Sequence, residues 1–307
     1  MDSVMFALLM LTAAFATSVR YEEVPCPYGE GTVRKFYKVS GNTLGGHDSD
    51  LAMYSTRGQF RAHAISTCPS SFFSVMGTEL DRTVPPEKRA AVDGAISAAR
   101  SEWVDKNQPT VWERYDTAAR IAAAQGRDSL SIGELYLNAA WTARDAAVGV
   151  YVGGLNGPSA ARDILTVGET ELSKSLTPEA LKLLRYNLAR VAHRGGFSAE
   201  RDVHIDAFLA LTNLTPEERT AGKTMQHLTQ QVEPKYQQAA INALAKGLTE
   251  RDDPSTLARA RYQVGDTHRR LGQMAEAKQQ LQAALNDTNA TEDIKKLAAF
   301  LLEEIGE

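Results

Sequence analysis

Two cysteines and a cluster of histidines and aspartates are the residues whose types could support chemistry in this chain. Cys26 opens the stretch Cys-Pro-Tyr-Gly, and Cys68 opens Cys-Pro-Ser-Ser. A zinc ribbon often begins Cys-Pro-x-Cys, so each stretch is half of a metal knuckle. The fourth positions, Gly29 and Ser71, lack the second thiolate. A metal site, a disulfide and neither are all open from the half-motifs alone. Between them, "GGHDSD" supplies His47, Asp48 and Asp50, and His63 precedes Cys68. These four residues suggest a metal-dependent hydrolase. A mixed zinc site of Cys26, His47, His63 and Cys68 has suitable ligand types, but its spacings form no close ligand pairs. The plainer alternative is a solvated turn whose aspartates cap backbone amides. No motif joins a nucleophile, a base and an oxyanion site. His193, His204, His227 and His268 lie in helical segments and read as surface or packing residues.

A second constellation is basic and aromatic. The stretch "ARARYQVGDTHRRLGQMAEAKQQLQAAL", residues 258–285, has small or apolar residues at Gly265, Gly272, Ala277, Leu281 and Ala284. Those are the positions of a tetratricopeptide helix pair: Gly265 permits close approach, Gly272 turns the chain and Ala277 fits the crossing. Residues 183–211 carry a weaker copy, and residues 114–147 form a third helical hairpin that departs from the pattern. In such repeats the first helix of each pair lines the concave surface. That places Arg259, Tyr262, Asp266, Arg269 and Arg270 on or near a groove suited to an extended or acidic peptide. The competing readings are a solvated helix face and a terminal cap.

The elements that must position these residues change character along the chain. Residues 20–82 alternate in short strands and loops, including "TVRKFYKVSGNTLGG" and "RAHAISTCPSSFFSVMG", and are expected to form a small α+β domain with the two Cys-Pro turns side by side. From Pro85 the period becomes helical. Pro85-Pro86-Glu87, Gly157-Pro158, Thr177-Pro178-Glu179 and Thr215-Pro216-Glu217-Glu218 are start signals, and Ser131 to Glu134 reads as a capping box. Gly126, Gly153-Gly154, Gly195-Gly196 and Gly247 are stop signals. Eight or nine helices are expected over residues 85–307, with Pro234 splitting or kinking one of them. Trp103, Trp112 and Trp141 are expected to pack between helices. The fold class is therefore mostly α, a stack of tetratricopeptide-like helical hairpins with a small N-terminal α+β part.

The chain has 307 residues, 43% of them apolar, and a net charge of -4 with both signs mixed along its length. That composition supports a sizeable core and offers no basic face for nucleic acid. The apolar run from Val4 to Ala16 is short for a bilayer span and ends in Ala14-Phe15-Ala16. It predicts a signal peptide over residues 1–16, cut near Thr17. No Lys or Arg precedes the run, so a retained anchor and a misplaced start are the alternatives.

Taken in order, "CPYG", "CPSS", "RYDTAARIAAAQG…GELYLNAAWTARD" at residues 114–145, "YNLARVAHRGGF" and "GDTHRRLGQMAEA" resemble the uncharacterised bacterial family called domain of unknown function 2225. Its members look like two Cys-Pro-x-Cys pairs some forty residues apart, followed by helices of tetratricopeptide character. The resemblance implies a fold and no activity. It also implies that Cys26 and Cys68 once stood around one metal, with half the thiolates since lost. In an exported chain, two such cysteines are expected to join as a disulfide. Closing a loop of roughly 43 residues would stabilise the fold by about 4 kcal/mol on the chain-entropy model.

The expected function is binding: an exported scaffold or adaptor in the periplasm, cell envelope or extracellular space. It would hold a protein or peptide partner, use no cofactor and bind no nucleic acid, with self-association left open. The metal-dependent enzyme at His47, Asp48, Asp50 and His63 is the alternative.

Overall fold

A computed structural model describes residues 18–56, 58–149, 155–250 and 253–306. The expected signal peptide and the Gly153 stop signal lie outside the described residues.

The N-terminal part holds two antiparallel hairpins. β1 (Ser18–Pro25) pairs with β2 (Thr32–Ser40), and β3 (Ile65–Thr67) pairs with β4 (Ser74–Met76). A single helical turn, α1 (Arg61–Ala64), leads into β3. Each Cys-Pro stretch is the turn of one hairpin. The Cys26 amide donates to the Gly31 carbonyl, and the Cys68 amide donates to the Phe73 carbonyl. The turns lie side by side and Cys26 is bonded to Cys68, with their α-carbons 5.8 Å apart. The bond rules out the mixed zinc site of Cys26, His47, His63 and Cys68, because bonded sulfurs are no longer thiolate ligands. The two fourth positions also meet. A side chain built at Gly29 would contact Ser71, whose hydroxyl donates to the Tyr28 carbonyl.

Eleven helices follow among the described residues, not eight or nine. They are α2 (Arg89–Glu102), α3 (Val111–Ala124), α4 (Ser129–Val148), α5 (Gly157–Leu172), α6 (Pro178–Gly195), α7 (Ser198–Leu209), α8 (Pro216–His227), α9 (Glu233–Gly247), α10 (Pro254–Arg270), α11 (Met274–Leu285) and α12 (Glu292–Gly306). Their starts follow local chemistry. Thr215 and Glu218 form a capping box at α8, and Thr177 caps α6 ahead of Pro178. The expected box at Ser131 and Glu134 is not the start of α4. Asp128 is the cap, accepting from the Ser131 amide, so the helix begins earlier. Pro234 neither splits nor sharply interrupts its helix. A π-helical turn, Leu228–Val232, links α8 to α9, and Pro234 sits in the first turn of α9 where its missing N–H costs little.

All three helical segments singled out by sequence are helix–turn–helix pairs: α3 with α4, α6 with α7, and α10 with α11. In the last pair Gly265 lies against Leu281, while Ala277, Leu281 and Ala284 are buried. The order of packing is not a simple row. α4 lies along α9, and α9 continues to α10, α11 and α12, whereas α5 to α8 pack on one another as an excursion. One apolar cluster joins α4, α9 and α10 through Leu137, Ile241, Leu244 and Val264. Another joins α4 to α6, α7 and α8 through Val148, Ala189, Ile205, Phe208 and Met225. The excursion therefore faces the main row across α4 and leaves a groove between α4, α6 and α10.

That groove is where the expected boundary near residue 82 breaks down. Residues 45–54, inside the N-terminal part, turn back on themselves and enter the groove. Gly45 and Tyr54 pair through the Tyr54 carbonyl, the Tyr54 amide donates to the Gly46 carbonyl, and His47 bridges to Met53. Ile65 joins the core of α3, α4 and α9, so the two parts share a core.

Candidate functional site

The tip of this loop, Asp48-Ser49-Asp50, is enclosed by four arginines from three helices. Arg144 projects from the penultimate turn of α4 and is fully buried. Its Nη1 donates to Asp48 at 2.8 Å and to Asp50 at 3.0 Å, and its Nη2 donates to Asp50 at 2.6 Å. Nε and Nη2 also reach Glu233 of α9, at 2.9 and 2.6 Å. Arg194, in the last turn of α6, donates from Nε to the other Asp48 oxygen at 2.7 Å and stacks on the Tyr54 ring. Tyr54 in turn donates its hydroxyl to Asp48 at 2.8 Å. Asp50 receives a further bond from the Trp141 indole at 2.9 Å.

The central serine is held by α10. Its hydroxyl donates to Asp266 at 2.8 Å and accepts from Arg270 at 2.7 Å and Arg269 at 3.0 Å. Its carbonyl accepts from the Tyr262 hydroxyl. The spacing of Tyr262, Asp266, Arg269 and Arg270 explains their convergence, since residues three or four apart share one helix face. Arg269 and Arg270 do a second job. They donate to the carbonyls of His193, Arg194, Gly195 and Gly196, the open end of α6. Cations at that end are favoured both by the unpaired carbonyls and by the helix dipole.

Charge balance decides the protonation states. Burial alone would raise the Asp50 pKa, but Arg144 and Arg270 outweigh it and hold the group well below the usual carboxylate range. Glu233 follows the same logic: burial opposes ionisation, Arg144 and then His193 favour it, and the pKa falls to about 2. Burial pushes the His193 pKa down despite the neighbouring carboxylate. The neutral imidazole faces Glu233 with Nε2 at 2.6 Å and receives Arg201 at Nδ1, which assigns the proton to Nε2. Four arginines thus meet four carboxylates, Asp48, Asp50, Glu233 and Asp266, in a closed polar core. One donor is left over: Nη1 of the fully buried Arg194 has no partner.

The sequence expectations separate here. Tyr262, Asp266, Arg269 and Arg270 do line the groove and do hold an acidic segment, but that segment belongs to the chain itself. Arg259 stands apart on an exposed position of α10. The solvated-turn reading of "GGHDSD" fails, since Asp48 is 1% and Asp50 is 2% exposed. The metal-hydrolase set is not assembled either. Both aspartates face arginines, while His63 is exposed and packs on Phe36. No group of three His, Cys, Asp or Glu among the described residues is placed to hold a metal ion. Trp141 is more than core packing, and His193 belongs to the network. Arg144 and Arg194 were missed. The available signals were an Arg-Asp pair set in the alanine-rich C-terminal part of a helix, and the likeness of "HRGG" to "HRRLG". No family model, curated protein or solved structure matches the chain.

Proposed function

We propose that this chain is an exported, non-enzymatic binding or scaffold protein of the bacterial periplasm or cell envelope. Its tetratricopeptide-like helical pairs supply the surface that receives a protein or peptide partner. The observation that carries this reading is the groove itself. Three helices distant in sequence present arginines, an aspartate and a tyrosine to both side chains and backbone of one acidic turn. That is recognition chemistry for a polypeptide. The Cys26–Cys68 bond supports an oxidising compartment. No helix among the described residues is long and apolar enough to cross a membrane.

The test is made on the full chain, tagged at its C-terminus and expressed in a bacterium. Osmotic shock should release it, its first residue should lie near Thr17, and denaturing alkylation without reductant should label no thiol. Cross-linking of exposed helical positions such as Leu183 and Val203 should then yield a discrete adduct with an envelope protein. A cytosolic chain starting at Met1 with two free thiols would overturn export. Metal-dependent hydrolysis lost on substituting His47 or His63 would move the reading to an enzyme.

A further inference from the structure

We propose that residues 45–54 are a built-in ligand. The groove of α4, α6 and α10 is a receptor for an acidic turn, two carboxylates one residue apart with a hydroxyl between them. A partner polypeptide presenting such a turn takes the place of the chain's own. This deepens the binding reading above and rests on it.

Four observations lead there. The first is the form of the contact. Arg61 steadies the flank of the turn at Met53 and Tyr54, but outside the turn itself every residue that bonds its tip, Asp48 to Asp50, lies at least 91 positions away, Trp141 being the nearest in sequence to Asp50. The second is that local costs gather at the tip. Leu51 adopts φ 70°, one of two non-glycine residues with positive φ among the described residues. A leucine is poorly suited to that conformation, and such strain is typical of switch segments. The buried Arg194 also keeps one nitrogen without an acceptor, a group that normally finds a partner. A ligand with one more acceptor beside Asp48 would satisfy it.

The third observation is charge. Without Asp48 and Asp50, Arg144, Arg194, Arg269 and Arg270 would face only Glu233 and Asp266. An excess of buried positive charge excludes neutral or basic occupants and makes an empty groove costly. Exchange of one acidic turn for another keeps the balance. The fourth is access. A cavity of about 280 Å³, lined by His193, Gly196, Arg201, Gln237 and Arg270 among others, borders the network at His193 and Arg270. The flanks of the turn come to the surface, with Leu44 71% and Met53 48% exposed.

The probe is a fluorescent peptide of the chain's own turn, Gly-Gly-His-Asp-Ser-Asp-Leu-Ala-Met-Tyr. In the native chain the tethered turn competes at an effective concentration on the order of millimolar, so the peptide binds weakly. In the full chain carrying D48N and D50N, the turn no longer competes, and binding should tighten by roughly 10-fold or more, as expected when a competing occupant is removed. A peptide with both aspartates changed to asparagine should bind neither form. Equal affinity for native and variant chains, with the variant's disulfide and helix content intact, would overturn the inference.

Amide hydrogen exchange in the native chain decides the matter if the variant does not fold. The amides of Asp48 and Tyr54 donate to Ala52 and Gly46 within the turn. They should exchange faster than core amides of α10, and excess acidic peptide should speed them further. Exchange only through global unfolding, unmoved by peptide, would make the turn a permanent core element. That failure would leave the broader binding reading intact if the envelope adduct persists through another surface. Loss of the adduct with peptide binding retained would instead remove the cellular role and keep the receptor.

Discussion

The N-terminal part is fastened to the helices at two places that work by opposite means. At one, Cys26 and Cys68 tie two hairpin turns together, and Cys68, Phe73, Val84, Val92, Ile96 and Ile121 form an apolar cluster against α2 and α3. At the other, residues 48–50 are held by ions and hydrogen bonds in a core with little exposure to water. The first fastening gains from burial and from a shortened unfolded chain. The second gains little net free energy over an apolar core of the same shape, yet is intolerant of losing any single member. Stability and specificity are thus divided between the two places. The apolar, covalent end secures the fold, while the ionic end selects which segment occupies the groove.

The largest effect should come from breaking the ionic fastening at its centre. Arg144→Ala would leave Asp48, Asp50 and Glu233 without their shared cation. The expected loss is about 3–5 kcal/mol, the cost of stranding buried charge. Urea denaturation of native and variant chains measures it. A loss below about 1 kcal/mol, the range of surface pairs, would mean that water reaches the carboxylates.

The disulfide should come next. Replacing Cys26 and Cys68 together by serine removes up to about 4 kcal/mol on the chain-entropy model. The buried turn still restrains the segment between them in the native state, but it does not restrain the unfolded chain. The cost should therefore appear in full in the denaturation midpoint. An unchanged midpoint would show that the unfolded chain is already constrained there. If R144A and the double-serine variant add independently, the two fastenings are separate. A strong coupling between them would make them one unit.

Legibility in sequence follows the same division. The disulfide was readable from two lone cysteines, each opening the same Cys-Pro turn, only together with the expectation of export, since the half-motifs alone leave a metal site open. The helices were readable because proline, threonine and glycine act on their own neighbours, as at Thr177-Pro178 and Gly196, which takes φ 76°. The α10 face was readable from spacing within one helix. What it holds was not. Asp48 pairs with residues 96 and 146 positions away, and Ser49 pairs with one 217 positions away. Nothing local distinguishes an aspartate in a solvated turn from one that enters a groove. Arg144 was hidden for the same reason, because an arginine among alanines reads as an exposed helical position until its partners are known. The capping error at Ser131 was smaller in kind, since Asp128 competes for the same amide and wins.

Acid should distinguish the two fastenings without mutation. Glu233 and Asp50 have folded pKa values below those of the unfolded chain, so the folded state favours their ionised forms. Their contribution is complete above the unfolded carboxylate pKa and is lost as pH falls through the folded value. For Glu233 that window runs from 4.5 to about 2, and the full contribution is on the order of 3 kcal/mol. His193 acts in the same direction at higher pH. Its folded pKa lies below 6.5, so stability declines as pH falls below 6.5 and the unfolded chain takes up the proton first. Thermal melting from pH 7 to pH 2 should therefore show a progressive fall. Glu233→Gln should start from a lower stability and flatten the acid limb. An identical pH slope in the variant would mean that Glu233 is already protonated in the fold. The disulfide itself does not titrate in this range, so the hairpin end should respond only through its surface charges.

The smallest effect is expected where neither fastening is touched. Ala277 of α11 is fully buried, in the same helix pair in which a side chain at Gly265 would press on Leu281. The two small residues let α10 and α11 approach closely, and Ala277→Phe would force them apart by overpacking. The expected loss is about 1–3 kcal/mol in denaturation. Because α10 also carries Tyr262, Asp266, Arg269 and Arg270, separation of the pair has a second readout. If the helices move as rigid bodies, the Ser49 contacts should loosen and exchange at the Asp48 amide should rise more than the stability loss predicts. If α10 stays in place and α11 alone shifts, the Asp48 amide should follow global stability. An unchanged melting curve would place residue 277 at a position able to accept an aromatic ring, which is incompatible with its zero exposure at the helix crossing. The comparison therefore asks whether the groove is a property of α10 alone or of the packed pair behind it.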